Sequence, residues 1–332
     1  MSIDFCRDCP RDCGVDRNTQ TGFCQVPDAV LRVAKACLHP WEEPPISGSR
    51  GHAGTVFFSG CSLGCIYCQN REISRSHKGY SLSEAGFLNL AWRFVEAKAT
   101  CLELVTPDHL TRTLSAYLAK LKAEHYPLPI VWNGSAYQKM EALQRLEGLV
   151  DIYMPDLKHI DPKRAERYLH AKDYPHIAWQ ALKEMHRQLK AVDGRAVVWR
   201  SVAGERLLAR GILIRHLVLP GGYFEAARLM RQLDESYGEE VLFSLLGQYE
   251  PAGLVTESAY PELFQPLNPR AYRYLESLLA TMRFEAAFSQ ALPCSRILGE
   301  RIEASPYTPR WDGAGVLEDD LPEKLSLPPG EA

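Results

Sequence analysis

The chain has 332 residues, 46% of them hydrophobic, which is enough for one large buried core with an appendage. Lysine and arginine total 38 against 41 aspartates and glutamates, and this net charge of −3 argues against nucleic acid as a partner. No apolar run approaches the ~18 residues that cross a bilayer, and the first residues lack a signal peptide's apolar core. We therefore expect a cytoplasmic protein with no membrane contact.

The first 54 residues are rich in cysteine, glycine, proline and charge and show little periodicity, so we predict a metal-binding extension and linker over 1–54. Four cysteines lie there: Cys6, Cys9, Cys13 and Cys24. In a reducing compartment cysteines are more often metal ligands or buried thiols than disulfides. The spacing C-x2-C-x3-C-x10-C suits either a zinc ion or an auxiliary iron–sulfur cluster. A set of free thiols is the plain alternative.

From residue 55 onward, apolar runs alternate with helical patterns. The runs predict six strands, at 55–60, 101–106, 129–133, 150–154, 212–219 and 241–246. The helical patterns lie at 83–99, 109–123, 139–146, 175–189, 225–236 and 270–282. Strict alternation predicts an α/β fold with a parallel sheet and helices outside it.

Six such units suit a partial (β/α)6 barrel over residues 55–290, although a doubly wound sheet would give a similar pattern. In a barrel the chemistry lies at the C-terminal ends of the strands. The polar motifs of this chain follow the predicted strands, which favours the barrel. Residues 291–332 are rich in proline and acids and are predicted to form an extended tail.

A loop with three cysteines follows the first predicted strand. Cys61, Cys65 and Cys68 form a C-x3-C-x2-C pattern, and thiolates so close in sequence can hold three corners of a cubane cluster. Gly60 and Gly64 allow the tight backbone that wraps such a cluster. Three ligands leave one iron without a protein donor, and an open position on a metal is reactive. The alternatives are a zinc site completed by a distant ligand, or buried thiols.

The pattern C-x3-C-x-aromatic-C after a first strand resembles the radical S-adenosylmethionine superfamily. The resemblance implies a partial (β/α)6 barrel and a [4Fe–4S] cluster on Cys61, Cys65 and Cys68. It further implies that the open iron chelates S-adenosylmethionine, which is cleaved reductively to methionine and a 5′-deoxyadenosyl radical that abstracts hydrogen. Tyr67 would lie against the adenine. The implied electron donor is a flavodoxin or ferredoxin.

Two stretches downstream resemble glycyl-radical activating enzymes. Asp156 and Lys158, in an M-x-D-x-K stretch, share one face of a strand and could hold a zwitterionic amino acid. The resemblance implies that both contact the methionine part of the cofactor; a surface ion pair is the alternative. His216 lies in a stretch similar to R-[HY]-V-V-x-P-G, which implies that it approaches the cofactor. A buried histidine satisfied by the backbone is the alternative.

One feature departs from that family, because the Gly-Gly-Glu stretch that follows strand two in many members is missing. Here the second strand runs into Leu-Val-Thr-Pro, so Thr106 is expected to supply the polar contact. Asn133, which ends the third strand, is a further expected contact. Glu42 and Glu43 could face the barrel mouth or be solvated.

Several segments between residues 6 and 290 are together similar to one subgroup, the pyruvate formate-lyase activating enzyme-like proteins. They include the N-terminal cysteines, Trp-Glu-Glu-Pro-Pro-Ile-Ser-Gly at 41–48 and the three-cysteine loop. The similarity implies a protein substrate, a glycine of a glycyl radical enzyme. A small molecule or another protein residue is the alternative within the same chemistry. A noncatalytic iron–sulfur or zinc protein that binds a partner is the alternative from another class.

Overall fold

The computed structural model of this chain describes residues 5–26, 31–40, 42–49, 51–75 and 78–290. The tail predicted at 291–332 lies outside these residues. None of the helices in the described ranges combines the length and apolar character that a bilayer span requires.

A mixed ten-stranded sheet runs through the part of the chain that the structure describes. Its strands are β1 (Leu31–His39), β2 (Ala53–Phe58), β3 (Tyr80–Leu82), β4 (Leu102–Val105), β5 (Ile130–Asn133), β6 (Ile152–Tyr153), β7 (Val198–Val202), β8 (Glu205–Leu217), β9 (Leu242–Leu246) and β10 (Ala286–Ser289). Their order is β10-β9-β8-β6-β5-β4-β2-β1-β3, with β7 paired to β8. From β2 to β10 all pairings in this order are parallel. The predicted α/β fold is confirmed, with a parallel sheet that is open rather than closed into a barrel.

All six predicted strands are present, and β10 adds a seventh parallel strand. The helices are α1 (Pro44–Ser47), α2 (Arg71–Ser74), α3 (Glu84–Glu96), α4 (Thr111–Ala123), α5 (Met140–Gln144), α6 (Pro162–Leu169), α7 (Tyr174–Ala191), α8 (Tyr223–Ser236) and α9 (Pro269–Leu279). The six predicted helices correspond to α3, α4, α5, α7, α8 and α9. Side-chain caps fix two of their starts, since Ser83 accepts a bond from Gly86 N–H and Asn268 accepts from Arg270 N–H.

Residues 31–39, which fall in the predicted linker, instead form strand β1. This strand pairs antiparallel with β2 and extends the sheet beyond the first parallel strand. Its apolar alternation is broken, because the register shifts between Val33 and Lys35. A bulge moves the following side chains to the other face, so the alternating pattern of a half-buried strand is lost.

The hairpin of β7 and β8 also lies outside the predicted elements. Ala203 and Gly204 connect its strands, and both have positive φ angles, of 50° and 85°. Tight hairpins with the sheet's right-handed twist require that conformation. Helix α1 packs against β8 and places the segment before it, with Glu42 and Glu43, beside the sheet.

The two faces of the sheet differ in chemistry. One face packs on the helices through a large apolar cluster that includes Phe87 and Phe94 of α3 and Leu114 of α4. On the strands themselves, polar side chains are buried or half-buried at neighbouring positions: Thr55, Glu103, Asn133, Arg215 and Ser244. Thr55 lies opposite Glu103, and Arg215 lies opposite Ser244, in the parallel register. The same face also carries a smaller apolar cluster that includes Ala53, Val131 and Leu213, two residues before the polar positions on their strands. The polar layer therefore lies toward the carboxyl ends of the strands, where the candidate site is found.

Candidate functional site

The three-cysteine loop begins directly after β2, at the carboxyl end of the parallel sheet. Gly60, which precedes Cys61, has a φ of 84° and lies so close to Cys24 that a Cβ there would be 2.6 Å from its carbonyl oxygen. Glycine is required at such a position. Backbone bonds then fix the loop: Gly60 N–H donates to Ile73, and Ile66 N–H donates to Tyr168. The loop is thus tied to the elements around it before any ligand is bound.

The thiols of this loop are mutually close and partly buried. Burial raises the pKa of the Cys65 thiol to about 11, although Lys158 opposes the rise. Burial also raises the pKa of Cys61, and the Cys65 thiol adds to that effect. Close, desolvated thiols are protonated at neutral pH unless a metal replaces the protons. Three such thiols fit an iron–sulfur cluster, whose irons supply the compensating positive charge.

The loop and the strand ends enclose a cleft of about 240 Å³. Six of the residues predicted from the sequence line it: Cys65, Tyr67, Cys68, Asn133, Asp156 and Lys158. Asn70 also lines the cleft, and its Oδ1 atom is buried without a hydrogen-bond partner among the described residues. A buried acceptor without a partner costs free energy unless a ligand supplies a donor. The cleft therefore fits a bound group that carries hydrogen-bond donors.

Asp156 and Lys158 form an ion pair inside this cleft. Lys158 Nζ lies 3.1 Å from Asp156 Oδ2, and Arg215 Nε lies 2.8 Å from Asp156 Oδ1. Burial disfavours the charged carboxylate, but Arg215 and Lys158 outweigh it and hold the pKa of Asp156 below its usual value. The pair is not a surface ion pair, because it faces the cleft with only 20% and 31% of its side chains exposed.

Beside the cleft lies a layer of buried carboxyl groups. Glu103 accepts hydrogen bonds from Thr55 Oγ1 at 2.7 Å and Asn133 Nδ2 at 2.6 Å. Burial and the neighbouring Glu42 raise the pKa of Glu103 well above its usual value. Burial likewise raises the pKa of Glu43 to about 7, although Arg215 opposes it. Glu42 lines the cleft with 8% of its side chain exposed, and Glu43 accepts a hydrogen bond from Ser244 Oγ at 3.0 Å, so neither carboxylate is simply solvated.

Two predicted contacts lie outside the cleft lining. His216 is buried, and its Nδ1 is bonded to the Leu157 carbonyl at 2.7 Å. Burial lowers its pKa to about 4, so the ring is neutral and Nδ1–H donates this bond. Thr106 has a φ of 59°, and its N–H donates to Asn133 O. The cofactor contacts of His216 and Thr106 stay predictions, as does the adenine contact of Tyr67.

The sequence predicted no role for three residues of this site: Arg215, Glu103 and Asn70. Arg215 donates not only to Asp156 but also, through Nη2, to Asn133 Oδ1 at 2.7 Å, and its Nη1 lies 3.4 Å from Glu42 Oε1. For Arg215 and Glu103 the sequence does contain a signal. Glu103 and Arg215 are charged residues within the mostly apolar runs at 101–106 and 212–219, and a buried charge is expected to be paired.

The N-terminal cysteines pack against the back of the three-cysteine loop. Cys6, Cys9 and Cys24 are buried, and Cys13 is partly exposed. Arg11 Nε donates to Ser62 O at 2.7 Å, and Arg75 Nη1 donates to Phe23 O at 2.9 Å. Within the described ranges, no three His, Cys, Asp or Glu side chains converge as ligands of a single metal ion.

The fold and the site together define a class: an α/β domain with a cysteine loop and a charged cleft at the carboxyl ends of parallel strands. Residues 55–204 match the model of the Radical SAM superfamily. The matched range contains the three-cysteine loop and most of the cleft residues. The match supports the superfamily predicted from the sequence and, with it, the predicted cofactors, a [4Fe–4S] cluster and S-adenosylmethionine.

One relative in sequence is the uncharacterized protein MJ0674 of Methanocaldococcus jannaschii, 25% identical over 285 residues, covering 82% of this chain and 73% of that protein. Among solved structures, SuiB of Streptococcus suis bound to S-adenosylmethionine is 11% identical over 70% of this chain, with a TM-score of 0.46. The methyltransferase TsrM of Kitasatospora setae is 12% identical over 65% of this chain, with a TM-score of 0.38. This chain spans 48% of that SuiB chain and 44% of the TsrM chain.

Proposed function

We propose that this protein is a radical S-adenosylmethionine enzyme that abstracts hydrogen from a protein substrate, a backbone glycine of a glycyl radical enzyme. One observation carries the proposal. Two cysteines of the loop, Cys65 and Cys68, share one cleft with the Asp156–Lys158 pair and with the Asn70 oxygen, which has no hydrogen-bond partner among the residues that the structure describes. A cluster needs thiolates, and a zwitterionic cofactor needs opposite charges and a hydrogen-bond acceptor. This cleft offers all of these groups.

Different residues would bind the cluster and the cofactor. Cys61, Cys65 and Cys68 would hold the cluster, and Lys158 and Asp156 offer opposite charges to the carboxylate and ammonium of the cofactor's methionine part. When bound and reduced, the cluster and S-adenosylmethionine supply methionine and a 5′-deoxyadenosyl radical. Tyr67 offers an aromatic ring beside the loop. The carboxyl layer formed by Glu42, Glu43 and Glu103 borders the same space.

The size of the cleft supports a protein substrate over a free small molecule. Pockets that enclose one drug-sized ligand measure roughly 300–1,000 Å³, and this cleft holds about 240 Å³. A cofactor the size of S-adenosylmethionine would leave no enclosed volume there for a second small molecule. A backbone loop needs to present only one Cα–H at the mouth, whereas a small substrate needs a second enclosed volume. The motif around Asp156 and Lys158, which resembles glycyl-radical activating enzymes, supports the same choice.

The experiment is anaerobic reconstitution with iron and sulfide, followed by incubation with S-adenosylmethionine and a strong reductant. We expect methionine and 5′-deoxyadenosine to form, and the Cys65→Ala variant to lose both iron and cleavage. Cys101→Ala, which removes a buried thiol outside the loop, is the matched control and should retain both.

The substrate is then tested with a glycyl radical enzyme that carries deuterated glycine. Transfer of deuterium into 5′-deoxyadenosine, together with a glycyl radical signal in electron paramagnetic resonance, supports the glycine target. Deuterium transfer from a deuterated metabolite instead would assign the chemistry to a small molecule. If the protein binds its cluster but never cleaves S-adenosylmethionine, the enzymatic proposal fails and a noncatalytic iron–sulfur protein is left.

A further inference from the structure

We infer that Arg11 and Arg75 act on the cluster from behind the three-cysteine loop, by polarising the loop peptides and so raising the reduction potential of the cluster. Neither residue lines the cleft, and neither is among the predicted ligands. The inference rests on the cluster of the proposed function but not on its substrate.

One peptide unit of the loop connects Arg11 with Cys61. Arg11 Nε donates to Ser62 O at 2.7 Å. The N–H of the same peptide belongs to Leu63, and it donates to Cys61 Sγ at 3.3 Å. The carbonyl and the N–H of a trans peptide point in opposite directions, so the cation and the sulfur lie at its two ends. A cation at the oxygen draws electron density away from the N–H, which therefore becomes a stronger donor to the sulfur.

Arg75 contacts the next peptide of the loop. Its Nη2 donates to Leu63 O, and its Nη1 donates to Phe23 O at 2.9 Å. The loop leaves room for this guanidinium at Gly64, where a Cβ would lie 3.0 Å from Arg75 Nη2. Glycine at position 64 therefore lets the cation approach the loop closely.

The ring of Phe23 holds both guanidiniums. Arg11 Cζ lies 3.8 Å from the centroid of the ring, and Arg75 Cζ lies 4.4 Å from it. The face of an aromatic ring attracts a cation, so one ring fixes both charges beside the loop. Arg11 is held further at the C-terminal end of α6, because its Nη1 and Nη2 donate to His170 O and Leu169 O. The position of this guanidinium is therefore fixed from several sides.

Both guanidiniums keep their positive charge beside the loop. Among the residues that the structure describes, they donate only to backbone carbonyls, and neither forms an ion pair with a carboxylate. The C-terminal end of α6 offsets only part of the charge of Arg11. A [4Fe–4S] cluster gains one negative charge on reduction, so nearby positive charge stabilises its reduced state. Hydrogen bonds to the cysteine sulfurs act in the same direction.

The consequence concerns the electron that starts the proposed reaction. A protein reductant of the flavodoxin or ferredoxin class passes one electron to the cluster, and no bond forms or breaks in that transfer. A higher reduction potential of the cluster makes the transfer more favourable. Arg11 and Arg75 are therefore positioning residues, which act on the cluster through the backbone of the loop.

The test is a potentiometric titration of the reconstituted protein, followed by electron paramagnetic resonance. At the midpoint potential of the wild type, we expect Arg11→Gln and Arg75→Gln to show an about tenfold lower ratio of reduced to oxidised cluster, equivalent to about 59 mV for one electron. Arg11→Lys, which keeps the charge, should recover most of the difference. Arg7→Gln is the matched control, because Arg7 lies in the same N-terminal segment but is exposed and pairs with Asp12. It should titrate like the wild type.

The iron content of each variant shows whether the cluster is intact, and loss of the signal in Cys65→Ala identifies the signal of the loop cluster. Wild-type potentials in both glutamine variants would overturn the inference. Loss of iron from both would overturn it too, since the role of the guanidiniums would then be structural.

The inference and the proposed function fail separately. Lowered potentials in a protein that never cleaves S-adenosylmethionine support the inference and contradict the enzymatic function. Cleavage of S-adenosylmethionine with unchanged potentials in both variants does the reverse. A wild-type protein that binds no iron would contradict both.

Discussion

Arg215 on β8 forms an ion pair with Asp156, which lies in the segment after β6, through an Nε–Oδ1 hydrogen bond of 2.8 Å. The backbones of these two residues also form an isolated parallel bridge, which extends the pairing of β6 and β8 toward the cleft. Because Arg215 also reaches Asn133 and Glu42, one guanidinium ties together β5, β6, β8 and the segment before α1. The orientation of the Asp156–Lys158 ion pair therefore depends on Arg215, which is not a member of that pair.

Replacing Arg215 with alanine should destabilise the protein. The change leaves Glu42 without this cation and leaves Asp156 paired with Lys158 alone, and breaking a buried pair costs about 3–5 kcal/mol. Urea unfolding of the reconstituted protein measures this loss. Arg195→Ala, which removes an exposed pair with Asp193, is the control and should leave the midpoint unchanged. An Arg215→Ala variant as stable as the control would show that the network contributes nothing.

Replacing Lys158 with alanine should weaken the binding of S-adenosylmethionine. Loss of one charge-assisted hydrogen bond costs about 1.5–3 kcal/mol, which is roughly 10- to 100-fold in Kd. Calorimetric titration of the reconstituted, oxidised protein gives the affinity, and the iron content shows whether the cluster is intact. Lys163→Ala, on the exposed side of α6, is the matched control. Equal affinities in the two variants would contradict a cofactor role for Lys158.

Asn70→Ala should stabilise the ligand-free protein and weaken the binding of S-adenosylmethionine. Its Oδ1 atom is buried without a partner among the described residues, so removing it relieves a penalty of about 1–3 kcal/mol in the ligand-free protein. If the oxygen accepts a bond from the cofactor, the same variant binds S-adenosylmethionine more weakly. Unfolding without cofactor and titration with it separate the two effects. A variant that loses stability and keeps full affinity would rule out this role.

Glu43 should make stability depend on pH. Burial raises the pKa of its carboxyl to about 7 in the folded protein, above the ordinary value near 4.5 in the unfolded chain. The folded state therefore binds this proton more tightly, and its contribution is complete below about pH 4.5 and is lost as the pH rises toward 7. The difference corresponds to about 3 kcal/mol. Glu43→Gln should flatten this part of the profile, whereas the exposed control Glu239→Gln should not.

Gly60→Ala should disrupt the three-cysteine loop, and Gly148→Ala offers a matched control. Both glycines have positive φ angles, of 84° and 75°, but a Cβ at Gly148 meets nothing within 4 Å. The control therefore pays only the backbone strain, about 1–2 kcal/mol. At Gly60 the Cβ also meets Cys24 O and Val26, so we expect a larger loss of stability together with loss of iron. Normal iron content in Gly60→Ala would show that the contact is not needed for cluster assembly.

Much of the fold follows from local sequence patterns. Buried parallel strands are short apolar runs bounded by turns, and helices alternate with them, so six strands and six helices were predictable from residues 55–290. The cysteine loop was equally predictable, because three thiolates at fixed spacing within one loop need no distant partner. Strand β1 was not predictable, because its bulge between Val33 and Lys35 breaks the alternation of apolar and polar residues on which a strand prediction depends.

The sequence by itself was enough to predict the chemistry that we propose, from Cys61, Cys65 and Cys68 and from the cleft residues at the strand ends. Only the tertiary structure decided how the charges are paired. Arg215 and Asp156 are 59 residues apart and Arg215 and Glu42 are 173 apart. Pairings over such distances depend on strand order and register, which bring remote segments to one edge of the sheet. The same holds for the contact of Cys24 with Gly60, which joins two cysteine segments that the sequence presents as separate.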